Sequence, residues 1–261
     1  MADPSAAAVP QVLAGADGAL LAYHRTSGRS PGVVFLTGYM SDMTGQKAVR
    51  LEAFCRARGQ AFLRFDYYGH GASSGAFVDG TIGRWADDAI LALDRLTEGP
   101  QVLVGSSLGG WIMLLAARAR RQRIAGLLGV AAAPDFTEDL IVPALSPSER
   151  EVLNRDGVVP MYSPYDPQPT PVTRLILEEG RQHLLLRAPI PLTCPIRLIH
   201  GMMDPDVPWR TSLRLADRLV AEDVEITLVK RGDHRLSEPR DLDRLCDVLE
   251  LLLRRVENDG G

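Results

Sequence analysis

Gln101-Val-Leu-Val-Gly105-Ser-Ser107-Leu-Gly109-Gly-Trp111 is the stretch that decides the fold. Val102 to Val104 is a short apolar run of the kind that forms a buried strand, and from Gly110 onward the apolar residues continue at helical spacing. A strand therefore passes into a helix through Gly105-Ser106-Ser107-Leu108-Gly109, the context a nucleophile elbow requires. Glycines on both sides of Ser107 allow the tight turn, because a Cβ at either position would clash. The turn holds the Ser107 hydroxyl at its tip, whereas Ser106 falls at the wrong place in the spacing.

Working outward, further apolar runs fall at residues 33–36, 61–65, 127–130, 196–199 and 224–229. Most are continuous rather than alternating, as expected for strands covered on both faces of a parallel sheet. Between them, residues 46–58, 82–96, 109–120, 209–220 and 239–255 carry apolar positions three and four apart and read as helices. Residues 19–25 read as an antiparallel edge strand. Strand and helix alternation predicts an α/β architecture with a mostly parallel, doubly wound sheet in one domain spanning residues 1–261. Residues 134–191 break the rhythm with Pro160, Pro164, Pro167, Pro169 and Pro171 crowded together. A structureless loop of that length is improbable in a compact domain, so the segment is expected to be an inserted helical cap, with short helices near 148–155 and 172–186.

Composition narrows the function classes. A net charge of -4 gives no footprint for nucleic acid or anionic membranes, and no apolar stretch is long enough to span a bilayer. Cys55, Cys194 and Cys246 are few, odd in number and scattered, which fits a reducing compartment better than a disulfide framework. The opening residues 1–10 carry no basic leader or apolar signal core, so a cytoplasmic address is expected. The sequence has no paired ligand spacing for a metal and no nucleotide fingerprint, and the chemistry read below needs no cofactor. Oligomeric state is not legible.

A serine hydroxyl needs a base within reach and a third group to orient that base. His234 follows the run 224–229, precedes the last helix and is the last histidine, as the chain order Ser, Asp, His demands. Asp204 follows the run 196–199 at the same edge of the sheet, and Asp206 competes with it two residues on. Asp204 is preferred because it lies nearer the strand end that fixes it. His24, His70, His183 and His200 read as structural, as does the turn Asp66-Tyr-Tyr-Gly-His-Gly71, and Asp233 reads as a turn residue. The oxyanion donors are expected from the backbone N–H of Leu108, the residue after the nucleophile, and from Thr37-Gly38-Tyr39-Met40, with Tyr39 first and Met40 second.

Gly105-Ser-Ser-Leu-Gly-Gly-Trp111, His200-Gly-Met-Met-Asp-Pro-Asp-Val-Pro-Trp209 and Asp233-His-Arg-Leu-Ser237 together resemble one α/β-hydrolase subgroup, that of mitochondrial palmitoyl-protein thioesterases that also cleave acyl glucuronides. Phe35-Leu-Thr-Gly-Tyr-Met-Ser41, Arg64-Phe-Asp66 and Ala188-Pro-Ile-Pro191 extend the likeness over most of the chain. The resemblance implies a Ser107, Asp204, His234 triad, a small cap, and small-molecule or S-acylated substrates carrying a thioester or activated ester. The same triad could serve a carboxylesterase, lactonase, amidase or carbon–carbon bond hydrolase. Beyond enzymes, a weakly catalytic ligand sensor could use this fold.

Overall fold

The computed structural model describes residues 9–163 and 166–259. The opening octet, where no leader was read, and the two closing glycines lie outside the described residues. The centre is an eight-stranded sheet built from β1 (Gln11–Ala14), β2 (Leu20–Thr26), β3 (Arg29–Leu36), β4 (Gln60–Phe65), β5 (Gln101–Ser106), β6 (Ile124–Val130), β9 (Ile196–Gly201) and β10 (Val224–Val229). Their order is β1-β2-β4-β3-β5-β6-β9-β10. All pairs from β4 to β10 are parallel, whereas β2 runs antiparallel to β4 and to β1.

The interior strands are mostly apolar because both faces are covered. On β3, Val33 and Phe35 join a core cluster with Ala48 and Leu51 of α1 (Gln46–Arg58) and Leu249 and Leu253 of α8 (Pro239–Asp259). The alternate residues Val34 and Leu36 face the opposite cluster, with Trp85 and Leu93 of α2 (Ile82–Leu96), Trp111 and Ile112 of α3 (Leu108–Ala119) and Leu215 of α7 (Arg210–Arg218). The period-two alternation of one strand thus feeds two separate cores.

Two expectations need correction. The antiparallel strand read at 19–25 is β2, but it is not the edge, because β1 pairs outside it. β1 spans four mostly exposed residues, too short to carry an apolar pattern. The segment between β6 and β9 is also not purely helical. It holds a π-helical turn (Thr137–Ile141), the short α4 (Val142–Ala144), α5 (Pro147–Asp156), the antiparallel ribbon β7 (Val158–Ser163) and β8 (Asp166–Thr173), and α6 (Arg174–Gly180). Pro160 pairs with Pro171 across that ribbon. In a two-stranded ribbon each strand has one unpaired side, so a proline without an N–H is tolerated there. Asp135 ties the two ends of the segment together: fully buried, it accepts the N–H groups of Leu185 (2.7 Å) and Leu186 (2.8 Å).

Candidate active site

The turn from β5 into α3 sets Ser107 at φ 55°, ψ −118°, a left-handed conformation that costs a non-glycine residue roughly 1–3 kcal/mol. Neighbouring hydrogen bonds hold it there. Ser107 N–H donates to the Val130 carbonyl (2.9 Å), and its own carbonyl accepts from Gly110 (2.9 Å) and Ala133 (3.1 Å). A Cβ on Gly105 would run into the Gly109 carbonyl, and one on Gly109 into the carbonyl oxygens of Leu36 and Thr37. Both glycines are therefore required by close backbone approach. Ser106 is still in the strand, buried, one residue short of the tip.

His234 arrives from the loop after β10 and Asp204 from the loop after β9, so three strand ends converge at the carboxyl edge of the sheet, where open α/β sheets gather ligands. Ser107 Oγ lies 3.0 Å from His234 Nε2, to which its hydroxyl can donate, and His234 Nδ1–H donates to Asp204 Oδ2 at 2.7 Å. The Asp204 side chain has no exposure and that of His234 is 16% exposed. Burial works to raise the Asp204 pKa. Hydrogen bonds from His200 and His234, the charge of His234 and the Val207 N–H outweigh it and hold the carboxyl well below the usual range. Asp206 meets the network through its backbone N–H, which donates to Asp204 Oδ1 at 2.9 Å, as does that of Val207 at 2.8 Å. Asp233 accepts the Leu236 N–H at 2.9 Å, a local turn bond. Lys47 of α1 steadies the loop after His234, donating to the Arg235 carbonyl and to Ser237 Oγ.

Leu108 is the first residue of α3, where a backbone N–H has no partner within the helix. Across from it, Gly38 comes close to the Ser107 Cβ, so the loop after β3 borders Ser107. In that loop Met40 has φ 52°. The Tyr39 ring packs edge-on against Phe77 (4.8 Å), Phe136 (5.8 Å) and Trp85 (5.9 Å), and its hydroxyl donates to the Pro171 carbonyl of β8 at 2.8 Å. Burial pushes that phenol above its ordinary pKa.

Of the remaining histidines, His24 sits in β2, His70 in an aromatic cluster, and His183 against Glu179. His200, also read as structural, has its Nε2 3.2 Å from Asp204 Oδ2, a contact the sequence reading did not anticipate. The i, i+4 spacing to Asp204 was the available signal. Asp66 accepts the N–H groups of Met43 and Ala72, a turn-building task. Burial raises all three cysteine thiols above their ordinary pKa, the reverse of nucleophile activation. Among the described residues no three His, Cys, Asp or Glu side chains are grouped to hold a metal ion, and no helix is long and apolar enough to cross a membrane.

An elbow serine, a histidine on it and a buried carboxylate on the histidine, at the carboxyl edge of such a sheet, define the class: the chain belongs to the alpha/beta hydrolase family, whose profile matches residues 33–248. Within it, the mouse protein named palmitoyl-protein thioesterase ABHD10, mitochondrial, is 44% identical over 238 residues, covering 90% of this chain and 80% of that protein. The human counterpart is 43% identical over 239 residues, covering 90% and 77%. The solved structure of mouse alpha/beta hydrolase domain-containing protein 10 superposes with a TM-score of 0.88 at 41% identity, over 95% of this chain and all of that one. A putative hydrolase from Agrobacterium vitis S4 gives 0.89 at 41% identity, over 93% and 96%.

These relatives overturn one expectation. The cytoplasmic address does not stand, since the curated relatives are mitochondrial proteins by name. Scarce, scattered cysteines fit any reducing compartment, and composition does not separate one such compartment from another.

Proposed function

We propose that the chain is a serine hydrolase that cleaves acyl thioesters or activated esters through an acyl-enzyme. The observation that carries the reading is the continuous hydrogen-bonded chain from Ser107 Oγ through His234 to Asp204, at 3.0 and 2.7 Å. Ser107 Oγ attacks the carbonyl carbon, and His234 Nε2 takes its proton. Asp204, charged across the neutral range, keeps the other ring hydrogen on Nδ1 and stabilises the imidazolium that forms. The N–H groups of Leu108 and Tyr39 receive the developing oxyanion. His234 then returns the proton to the leaving thiol or alcohol, and water, activated by the same ring, releases the acid from the serine ester. No cofactor enters these steps.

Thioesters come first because the relatives at 43–44% identity are palmitoyl-protein thioesterases by name, which supports S-acylated proteins or small molecules as substrates. Acyl glucuronides, the activated esters implied by the sequence resemblance, come second. Residues 134–191 act as a cap inserted in one domain and shape the acyl site. The test is a panel of acyl thioesters of graded chain length beside acyl glucuronides, assayed with wild type and Ser107→Ala. The wild type should turn over thioesters and react with a fluorophosphonate, and Ser107→Ala should lose at least about 10⁴-fold in kcat and all labelling. Wild-type turnover by folded Ser107→Ala would sink the reading.

A further inference from the structure

Asp204 carries two imidazoles. His200, at the end of β9, has no side-chain exposure, and its Nε2 lies 3.2 Å from Asp204 Oδ2, the same oxygen that accepts from His234 Nδ1. That Nε2 also lies 2.9 Å from the Val207 carbonyl oxygen. On the other side of the ring, Nδ1 lies 2.7 Å from Oγ of Ser212, a buried residue of α7. Counting hydrogens orients the ring. Both neighbours of Nε2 are acceptors with no hydrogen to offer, and the His200 and Asp204 side chains have no exposure to solvent, so Nε2 carries the hydrogen. Nδ1 is then an acceptor, and the Ser212 hydroxyl donates to it, fixing the tautomer.

We infer that His200 is a positioning residue for the reaction, held in one tautomer by Ser212 and donating from Nε2 to Asp204, so that it fixes the carboxylate that orients His234. The inference rests on the triad reading above. The backbone N–H groups of Asp206 and Val207 anchor Asp204 Oδ1. Oδ2 has only side-chain partners among the described residues, and one of them, His234, gains and loses a proton in every cycle. His200 is the partner on that oxygen whose hydrogen stays put. By sharing Oδ2 it also tempers the carboxylate's pull on the imidazolium of His234.

Removing His200 should therefore have two effects. Looser positioning lowers kcat, and the less tempered carboxylate makes His234 a stronger base, so the acid limb of kcat/KM moves to higher pH. Charged groups close to His234 include Asp204 and Asp206 from one loop, Asp233 and Arg235 from its own, and Lys47 of α1 beside Arg235, and the variants below leave all five in place.

The experiment measures kcat, KM and the pH profile on a p-nitrophenyl ester and an acyl thioester for His200→Leu, His200→Gln and Ser212→Ala. Rates are normalised to Ser107 titrated to completion with a fluorophosphonate. His200→Leu should lose about 10- to 100-fold in kcat, the worth of a hydrogen bond to a charged group, with KM little changed. Its acid limb should move up. His200→Gln keeps a donor and should recover part of both, and Ser212→Ala, which releases the tautomer, should shift both in the direction of Leu. A merely structural role would reduce the amount of folded enzyme but leave kcat per titrated serine and the acid limb at wild-type values, and that result overturns the inference. If His200→Leu does not fold, Ser212→Ala decides the matter by the same two readings. Ser107→Ala, run alongside, separates the failures: lost activity there with wild-type behaviour in the other variants sinks only the role of His200, whereas retained activity sinks the triad beneath it.

Discussion

In the proposed triad, Asp204 is preferred to Asp206 because its carboxylate is the one bonded to His234. Asp204 Oδ2 accepts from His234 at 2.7 Å, while Asp206 offers the network its backbone N–H. Asp204→Asn keeps the size but presents an amide that can turn its NH₂ toward the ring and select the wrong tautomer, so kcat should fall about 10⁴-fold, the loss seen for this change in the serine protease template. Asp206→Asn retains the backbone donor and should stay within about tenfold of wild type. Steady-state kinetics on one ester decide between them, and a larger loss for Asp206→Asn would reverse the assignment. The sequence narrowed the acid to these two because both follow a core strand. It could not go further, since the loop between them turns, and side-chain direction in a turn is set by tertiary contacts. His200 stayed hidden for the same reason: a histidine before a glycine reads as turn chemistry until Ser212, twelve residues away on α7, is packed against it.

Two elements differ sharply in how far the sequence exposed them. β3, β5 and β6 were legible because burial on both faces leaves an unbroken run of apolar residues and glycine, β9 because Ile196, Leu198 and Ile199 outweigh the buried Arg197 between them, and α3 because Ser107 and the glycines punctuate its start. The ribbon β7–β8 was not, because its prolines argue against a strand everywhere except at an unpaired edge. Among the described residues a long-range hydrogen bond joins that ribbon to the loop bordering Ser107, from Tyr39 Oη to the Pro171 carbonyl. Tyr39→Phe deletes this bond and leaves the aromatic packing, so stability should fall by about 0.5–1.5 kcal/mol. Because the bond ties the ribbon, part of the proposed cap, to the loop bordering Ser107, KM for a long-chain thioester should rise more than KM for an acetyl ester. Urea melts and paired kinetics test this, and an equal change in both KM values would show that the ribbon does not sense the acyl chain. At the elbow, Gly109→Ala drives a Cβ into the carbonyls of Leu36 and Thr37, neither of which is a flexible side chain. It should destabilise by more than about 2 kcal/mol and lower kcat, because the same shift moves Leu108. A thermal melt with wild-type Tm would contradict that.

For the molecule as a whole, two buried groups beside Tyr68 give folding stability opposing dependences on pH. His70 is enclosed by Phe77 (5.0 Å), Trp85 (5.1 Å) and Tyr67 (5.5 Å), and burial pushes its pKa down from 6.5 to about 4, partly offset by its bond to the Tyr68 carbonyl. Between those values the unfolded chain binds a proton that the folded one refuses, so stability is lost as pH falls from about 6.5 to about 4. Asp88 does the reverse. Burial raises its pKa from 3.8 to about 6, against the Tyr68 N–H and Arg84, so the folded state binds the extra proton and stability is lost as pH rises through that range. Each shift corresponds to at most about 3 kcal/mol, and in the shared window they largely cancel. Single variants should unmask them. His70→Phe suits the aromatic surroundings, and the Tyr68 carbonyl still accepts from Trp85 Nε1–H at 3.0 Å, so the cost at neutral pH should be small. Its stability should then rise as pH falls from about 6 to about 4, whereas that of Asp88→Asn should fall more steeply than wild type. Urea unfolding of the three proteins at several pH values measures this directly. Parallel curves for wild type and His70→Phe would mean that His70 titrates freely in the folded chain.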